Sequence, residues 1–562
     1  MSIYEYLTHK EALAETLAKV DVTQDLAFDT ETIGKYGKIR LAQFYQRHWD
    51  KAILVEWPDP YELAFGISKL GDCNLVIQYA SYDVSTIQDQ TSLRWMPNKF
   101  ADTFLLARLG FPHLEAYSLD VLIEHCLDHD PYKTAGIDKD VMQKADWKQL
   151  VIPEQQRLYA AIDVYYLFHL YDKVKHCEET ISYKLDISTL RNMLDFQRNG
   201  MPVDVERCQA KYIENQAELD RLAIPINVNS WQQVRPYINS NESDDLALAK
   251  LALFGNERAG DVRKARKLLK QNNFLTKFDT PDGRIYGKFA PSARSGRSTC
   301  NDQNLQQLPR SLKKMFGYQP EDGKVMLFSD YAQLELRTIA AITGEPMLCQ
   351  LFKTGGDPHN YVAEMTFGAN FTKDDRQVTK TENFNLLYGG GVPMLQSIIL
   401  KQANMWIELD VLSSLVKKWK RLFPYIIAWQ ERGIKAYRSK QLGSTPFGRQ
   451  YTGKLMTDQL NIENQGFGAE IAKLAMHYMM PKLKQYDAKL LNFIHDSYIV
   501  EVDNDPAIYE PCAQMIGQAM IEAWVEATKC VKVKDIPMPV KVLAGYNWGN
   551  IESGDFIYKY EA

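Results

Sequence analysis

Two short apolar strands, each ending in an aspartate, set the strongest limit on how this chain can fold. In KVMLFSD the acid is Asp330. In LNFIHDSYIVEV (491–502) it is Asp496, within a His495-Asp496-Ser497 triplet between two runs that read as a hairpin or tight bend. A carboxylate hemmed in by Ile and Phe is expensive to bury alone. A sheet that ends both strands at one point would present the two acids together, and divalent cations would relieve the desolvation of both. Taken singly, either Asp also suits a strand-end cap or a turn.

Between them, DRQVTKTENFNLLYGGG (375–391) places Arg376, Lys380, Phe384 and Tyr388 four residues apart. On a helix each such step drifts only about 40° beyond a full turn, so the four share one broad face. A core-facing stripe would not normally begin with Arg and Lys. Two cations and two rings suit a nucleotide, the cations for a triphosphate and the rings for base and sugar. The GGG that follows can end the helix and allow a bend.

A second acidic set lies near the N-terminus. Asp29 and Glu31 in LAFDTET are two apart on a strand, so both carboxylates point to one face. Alone, such a pair also fits a solvated edge. Asp83, after the apolar run NLVIQYA, and Tyr159 and Asp163, four apart in YAAID, bring three carboxylate-bearing segments that can converge on a metal pair. Tyr159 would orient an attacking water, and two metals can stabilise the entering and leaving oxygens of a phosphodiester.

Composition supplies limits. Of 562 residues, 45% are hydrophobic and 24% charged, ordinary for a globular chain with length for roughly three or four domains. A net charge of −5 rules out a global basic field, while a local basic surface is enough for nucleic acid. Eight scattered cysteines without a CxxC read as reduced thiols, not a disulfide framework or a zinc cluster. With no signal core and no membrane-length apolar run, a cytoplasmic address is expected.

Up to about residue 175, strands (LAFDTET, IRLAQFY, NLVIQYA) alternate with helices, of which EQQRLYAAIDVYYLFHLYDKV is one. Helical patterns run from 187 to 280. Within them, residues 257–277 carry seven Lys or Arg against two acids, by themselves a solvated helix face. A strand–loop region at 284–310 precedes the Asp330 strand, a helical stretch to about 440, and a final α/β part.

The DxE, Asp and YxxxD set, with DTFLLARL (102–109) and YSLDVL (117–122), resembles the DEDD exonucleases of the 3′-to-5′ proofreading type. Tyr79 stands where those relatives usually have Asn. From residue 190 onward the resemblance is to family A DNA polymerases. DYAQLELR resembles their motif A, RQVTKTENFNLLYG motif B and HDS motif C. SGRSTCNDQNLQQLPR, DPHNYVAEM, TPFGRQ, NIENQGFGAEIAK and GYNWG resemble further segments in the same order.

The resemblance implies a multidomain α/β and α+β fold: an RNase H-like exonuclease domain (1–177) followed by a right-hand polymerase. The hand would comprise a thumb and connecting region (178–290), a first part of the palm (291–345), fingers (346–440) and a second part of the palm (441–562). It implies template-directed addition of dNTPs to a primer 3′-end with two Mg²⁺ (Mn²⁺ as substitute) in each active site. Asp330, Asp496 and the Tyr331 carbonyl would hold one metal pair; Asp29, Glu31, Asp83 and Asp163 would hold the other. Arg376, Lys380, His359 and Gln333 would meet the triphosphate, with Lys380 able to protonate pyrophosphate. Phe384 would pack on the sugar, and Glu335, held by Tyr388, would block a ribose 2′-hydroxyl. Arg297, Arg449, Asn461, Gln465 and His495 would contact primer–template DNA, and the 257–277 helix would grip product phosphates.

Three departures stand out: Ser497 for the usual Glu of HDE, Asn385 for the usual Gly after Phe384, and a compact plan with a short thumb and no preceding 5′ nuclease. That plan resembles bacteriophage enzymes, for which the address would be the host cytoplasm. Expected partners are primer–template DNA and dNTPs, with helicase–primase and single-strand-binding protein as replisome candidates, no membrane, and a monomeric state. Competing readings are an RNase D-type nuclease with a DNA-binding C-terminal half, a scaffold with decayed sites, and a single-subunit RNA polymerase. The Arg376–Tyr388 stripe, the two retained acid sets and Glu335 argue against them in turn.

Overall fold

Short, largely buried runs among the first hundred residues build a six-stranded mixed sheet: β1 (Tyr4–Leu7), β2 (Leu26–Thr32), β3 (Ile39–Tyr45), β4 (Ala52–Glu56), β5 (Asn74–Ile77) and β6 (Lys99–Asp102). The spatial order is β1-β4-β3-β2-β5-β6. β2, β3 and β4 are antiparallel neighbours, whereas β1 joins β4, and β5 joins β2 and β6, in parallel. Parallel joins need crossovers, which the intervening helices supply. In β2 the buried Leu26, Ala27, Phe28, Thr30 and Thr32 leave Asp29 and Glu31 as its two partly open positions. The run expected as one helix from 154 breaks at Tyr166 into Glu154–Tyr165 and Leu167–Val174. Asp102 starts the Thr103–Gly110 helix by accepting the Phe104 and Leu105 amides at 2.9 and 3.2 Å, the usual side-chain cap.

The computed structural model describes residues 3–562, without the side chain of Phe384. The chain forms two compact units: residues 1–198 with 288–301 and 447–452, and residues 199–287, 302–446 and 453–562. The first runs past residue 177 because Tyr183, Leu190 and Leu194 of the Ile181–Phe196 helix join its core.

The second unit is built on an antiparallel sheet of β7 (Lys324–Tyr331), β8 (Lys489–Ile494), β9 (Ser497–Asp503), β10 (Val540–Gly545) and β11 (Tyr558–Glu561), in the order β8-β9-β7-β10-β11. β7 is central and its Val325, Met326 and Leu327 are fully buried, as its apolar run requires. The 28-residue helix Met456–Leu483 and the Pro506–Thr528 helix pack against each other, and the latter also lies on β7 and β10. A set of shorter helices spans 334–438, among them Lys373–Leu387. That helix opens with a reciprocal capping box: Thr372 Oγ1 accepts the Asp375 amide, and Asp375 Oδ2 accepts the Thr372 amide. It ends at Leu387, and Gly389 follows at φ +75°.

The helices Val205–Leu222 and Glu257–Leu275 are tied by Asn215, whose Nδ2 donates to Gln271 and Asn272, beside a small core of Val228, Val234, Ile238, Leu248 and Val262. No helix among the described residues is long and apolar enough to cross a membrane, and the eight cysteines are free thiols.

Candidate active sites

In the first unit, Asp29 and Glu31 leave the same face of β2, and the Glu154–Tyr165 helix lays Asp163 against them. One carboxylate oxygen from each of the three lies within 4.8 Å of the others. Burial, then the charges of Asp83 and Asp163, hold Asp29 well above the usual carboxylate range, and burial with Asp163 and Asp83 does the same to Glu31. Asp163 is pushed up to about 6 by burial, against the opposing pull of Lys139 and the Tyr132 and Tyr159 hydroxyls. Three acids that cannot all ionise together unaided suit a divalent cation among them. Asp83 stands beside this trio. Burial pushes it up to about 7, and its Oδ1 accepts the Thr30 amide and hydroxyl at 2.9 and 2.7 Å.

These acids open on a cavity of about 690 Å³ whose walls include Tyr79, Phe104 and Tyr117. Tyr79, at φ +62°, sets its ring edge-on to Phe104 at 5.1 Å, and Phe104 meets Tyr117 at 6.2 Å. Such faces suit stacked bases. Tyr159 is 5% exposed and its ring lies 5.9 Å from that of Tyr132. Sequence reasoning missed Tyr132, whose hydroxyl donates to Asp163, and Lys139, which pairs with Asp120 at 3.1 Å and sits 5.0 Å from the Tyr132 ring centre. Tyr132 is 31 residues from Asp163, and no local periodicity links them.

In the second unit, the antiparallel register sets Asp330 opposite Ser497, the neighbour of Asp496. Ile494 pairs with Ser497, so the hairpin loop is the two residues His495-Asp496, with His495 in the left-handed region at φ 59°. Solvent reaches Asp330 from one side while protein crowds the others. That desolvation, followed by the Asp496 charge, pushes its carboxyl up to about 8. A raised acid with a second carboxylate beside it fits a divalent pair by the same argument. The Ser497 hydroxyl donates to the Ile494 carbonyl at 3.0 Å. Tyr331 ends β7 buried, its hydroxyl donating to the Met520 carbonyl at 2.8 Å. Gln333 follows at φ 55° and starts the Leu334–Thr343 helix.

Glu335, in the first turn of that helix, accepts a hydrogen bond from the Tyr388 hydroxyl. Asn464, absent from the sequence-derived set, joins them. Its Nδ2 donates to Tyr388 Oη at 3.1 Å and to the Glu335 carbonyl at 3.0 Å, while the Thr338 hydroxyl donates to its Oδ1 at 2.7 Å. Its place beside Asn461 and Gln465 on one helix was the available signal.

Arg376 is held by Asp357 at 2.8 Å and by Asn360 at 2.5 Å, and Lys380 is exposed one turn further on. His359, next to the Asp357 cap, is 3% exposed. The side chain of Phe384 lies outside the described residues. Asn385 is buried against the glycine turn: a Cβ at Gly390 would meet its Oδ1 at 2.1 Å, so an Asn here demands Gly at 390.

The expected DNA-contact residues divide. Asn461 and Gln465 lie half-buried on the Met456–Leu483 helix, and His495 is exposed at the hairpin loop. Arg297 is half-buried in the first unit. Arg449 departs from the expectation: it is 4% exposed and paired with buried Asp186 at 2.7 Å, so its charge is spent inside the first unit. The basic helix is also partly committed. Arg263 and Lys264 pair with Asp245 and Glu218, while Arg258 and Arg266 donate to backbone carbonyls, leaving Lys267 and Lys270 on the helix and Lys277 just past it as exposed cations without such ties among the described residues.

The comparisons agree with this layout. Residues 232–550 match the family model described as DNA polymerase family A, and residues 4–176 match that described as 3′-5′ exonuclease. The DNA polymerase I of Aquifex aeolicus is 26% identical over 97% of this chain and 99% of its own length. The thermostable DNA polymerase I of Thermus filiformis is 26% identical over 64% of this chain, which spans about half (47%) of that relative's length. The fold resembles that of the POL domain of Pol1 from M. smegmatis, solved in complex with DNA primer-template and dNTP, at TM-score 0.76 and 18% identity over 98% of this chain and 100% of that one. The polymerase match spans more than half of the sequence and the exonuclease match most of the remainder, so this chain belongs to DNA polymerase family A and is a DNA-directed DNA polymerase with a 3′-5′ exonuclease domain.

Proposed function

We propose that Asp330 and Asp496 are the carboxylates on which nucleotide addition turns, with Mg²⁺ as the divalent ion, and that Asp29, Glu31 and Asp163, flanked by Asp83, do the same for excision. The observation that carries this is the β7–β9 register, which sets Asp330 beside the Asp496 turn. The Tyr331 carbonyl completes the donor set. When bound, two Mg²⁺ ions supply the charge that acidifies the primer 3′-hydroxyl and neutralises the departing pyrophosphate.

The chain's own residues do the rest. Arg376, steadied by Asp357 and Asn360, and Lys380 take the triphosphate oxygens as charge-assisted donors, with His359 and Gln333 beside them. Lys380 gives its proton to the leaving pyrophosphate. Phe384 packs on the deoxyribose. Glu335, pinned by Tyr388 and Asn464, occupies the space a 2′-hydroxyl would need. Asn461, Gln465, His495 and Arg297 contact the primer–template, where minor-groove acceptors are nearly alike for all base pairs and permit shape checking without sequence preference. Lys267, Lys270 and Lys277 bind product phosphates, so affinity falls with salt.

In the exonuclease site, Tyr159 positions the attacking water against the scissile phosphate. The test is a primed template with each dNTP supplied separately. Asp330→Ala or Asp496→Ala should abolish extension and leave 3′ trimming in place. Persistent extension by either variant overturns the assignment.

A further inference from the structure

Three buried side chains from three helices form a hydrogen-bonded chain that ends on His359. His359 is in the first turn of the Pro358–Phe367 helix, Asn383 is on Lys373–Leu387 and Trp419 on Leu409–Leu422, and each is 3% exposed. Asn383 Nδ2 lies 2.9 Å from His359 Nδ1, and Trp419 Nε1 lies 2.7 Å from Asn383 Oδ1. An indole N–H only donates, so the amide atom facing it is the oxygen. The amide NH₂ therefore faces the imidazole, and because an NH₂ only donates, Nδ1 must accept. A neutral ring then carries its single proton on Nε2. The indole fixes the amide, and the amide fixes the tautomer. The turn that carries His359 is itself held, by the Asp357 carboxylate on the His359 amide at 2.7 Å and by the Thr379 hydroxyl on the His359 carbonyl at 3.2 Å.

We propose that Asn383, oriented by Trp419, is a positioning residue for nucleotide binding: it locks His359 as the Nε2–H tautomer, so that Nε2 always presents a donor to a triphosphate oxygen of the incoming dNTP. This rests on the reading that His359 meets the triphosphate. The charges acting on the ring are Asp357, which favours the protonated form, and Arg376 and Lys380 on the facing helix, which oppose it. The third helix brings Trp419 to the Asn383 amide and sends Lys418 to the Thr366 carbonyl instead. Burial dominates and lowers the imidazole to about 4, so the ring stays neutral where the enzyme works and its tautomer matters.

Asn383→Asp keeps the shape and reverses the polarity. A carboxylate accepts from the indole as before, and now accepts from Nδ1–H as well. His359 must then move its proton to Nδ1, leaving a bare Nε2 against the phosphate, or take up a second proton. Accordingly, KM for dNTP in N383D should rise about tenfold or more between pH 6 and pH 8.5 relative to wild type, with kcat changed much less. In N383D/H359Q the excess slope should vanish, because a glutamine amide has no tautomer to lose. ¹⁵N spectra of histidine-labelled wild type, with the His359 signals identified by their loss in H359Q, should show a protonated Nε2 and a bare Nδ1. That measurement stands even where N383D folds poorly.

An Nδ1–H tautomer in wild type, or an N383D whose KM tracks wild type at every pH, overturns the proposal. If His359→Ala leaves KM for dNTP unchanged, the triphosphate reading of His359 fails and takes this role with it. If His359→Ala raises KM while N383D tracks wild type, the positioning role alone falls.

Discussion

The two acidic sites solve the same problem by different means. In the exonuclease, Asp29 and Glu31 share one strand face, and a helix brings Asp163 to within 4.8 Å of both. All three are hemmed in, and two tyrosine hydroxyls and Lys139 offset part of the repulsion. In the polymerase, Asp330 and Asp496 come from adjacent strands of an antiparallel sheet, with Asp330 open to solvent on one side. The Asp29, Glu31 and Asp163 group opens on a cavity walled in part by aromatic rings, whereas Asp330 meets solvent on one side. The first group gathers supporting hydroxyls and a lysine around it, while the cations Arg376 and Lys380 lie on a separate helix from Asp330 and Asp496.

The largest effects should separate the two. Asp330→Asn should lower primer extension on the order of 10³-fold, the scale of losing a preorganised charge at a reacting centre, with excision intact. Asp29→Ala with Glu31→Ala should do the reverse in a 3′-trimming assay. A variant that damages both activities would break the independence of the sites.

Next, Glu335→Ala should raise the use of ribonucleotides about 100-fold, read as the dNTP/rNTP ratio of kcat/KM. An unchanged ratio would remove the Glu335–Tyr388 pair from sugar selection.

Metal binding should sharpen the contrast in pH. Acids raised in the folded state contribute stability that is present in full below their unfolded values near 4 and lost as pH climbs through the folded ones. Those folded values are about 6 for Asp163, about 7 for Asp83 and about 8 for Asp330. Metal-free protein should therefore lose stability between about pH 5 and pH 8. The Tm increase on adding Mg²⁺ should grow over the same range, with the polymerase site contributing last. A metal-induced shift equal at pH 5.5 and pH 8.5 would contradict this.

The smallest effect concerns an acid in neither site. Glu382 is fully buried, neither carboxylate oxygen has a hydrogen-bond partner among the described residues, and burial pushes it up to about 7 despite the Lys418 charge. Its contribution too is present below its unfolded value and lost as pH rises through 7. Glu382→Gln should accordingly raise stability on the order of 2 kcal/mol at pH 8 and change little at pH 4.5, as measured by denaturant unfolding. Equal effects at both pH values would mean that folding does not raise the Glu382 carboxyl above its unfolded value.

Much of this architecture was legible because its signals are local. The i, i+2 spacing of Asp29 and Glu31 follows from the strand pleat, and the spacing from Arg376 to Tyr388 from the helical turn. The capping box at Thr372–Asp375 and the two-residue hairpin at His495-Asp496 are likewise short-range. The surroundings of Arg449 were hidden for the opposite reason. Its motif invites a DNA contact, and only the fold reveals that Asp186, hundreds of residues earlier, takes the charge. The ion pairs of the 257–277 cations were hidden in the same way, since their partners lie on other elements.

By itself the sequence determined which segments become strands and helices, which acids end them, and which family the ordered motifs belong to, because backbone geometry ties those properties to residues a few positions apart. Only the tertiary structure decided that Tyr132 reaches Asp163, that Asn464 holds Glu335 to Tyr388, and that Trp419 reaches Asn383 and Asn383 reaches His359. Each of those contacts joins elements whose separation along the chain carries no periodicity, so nothing short of the packed fold can specify it.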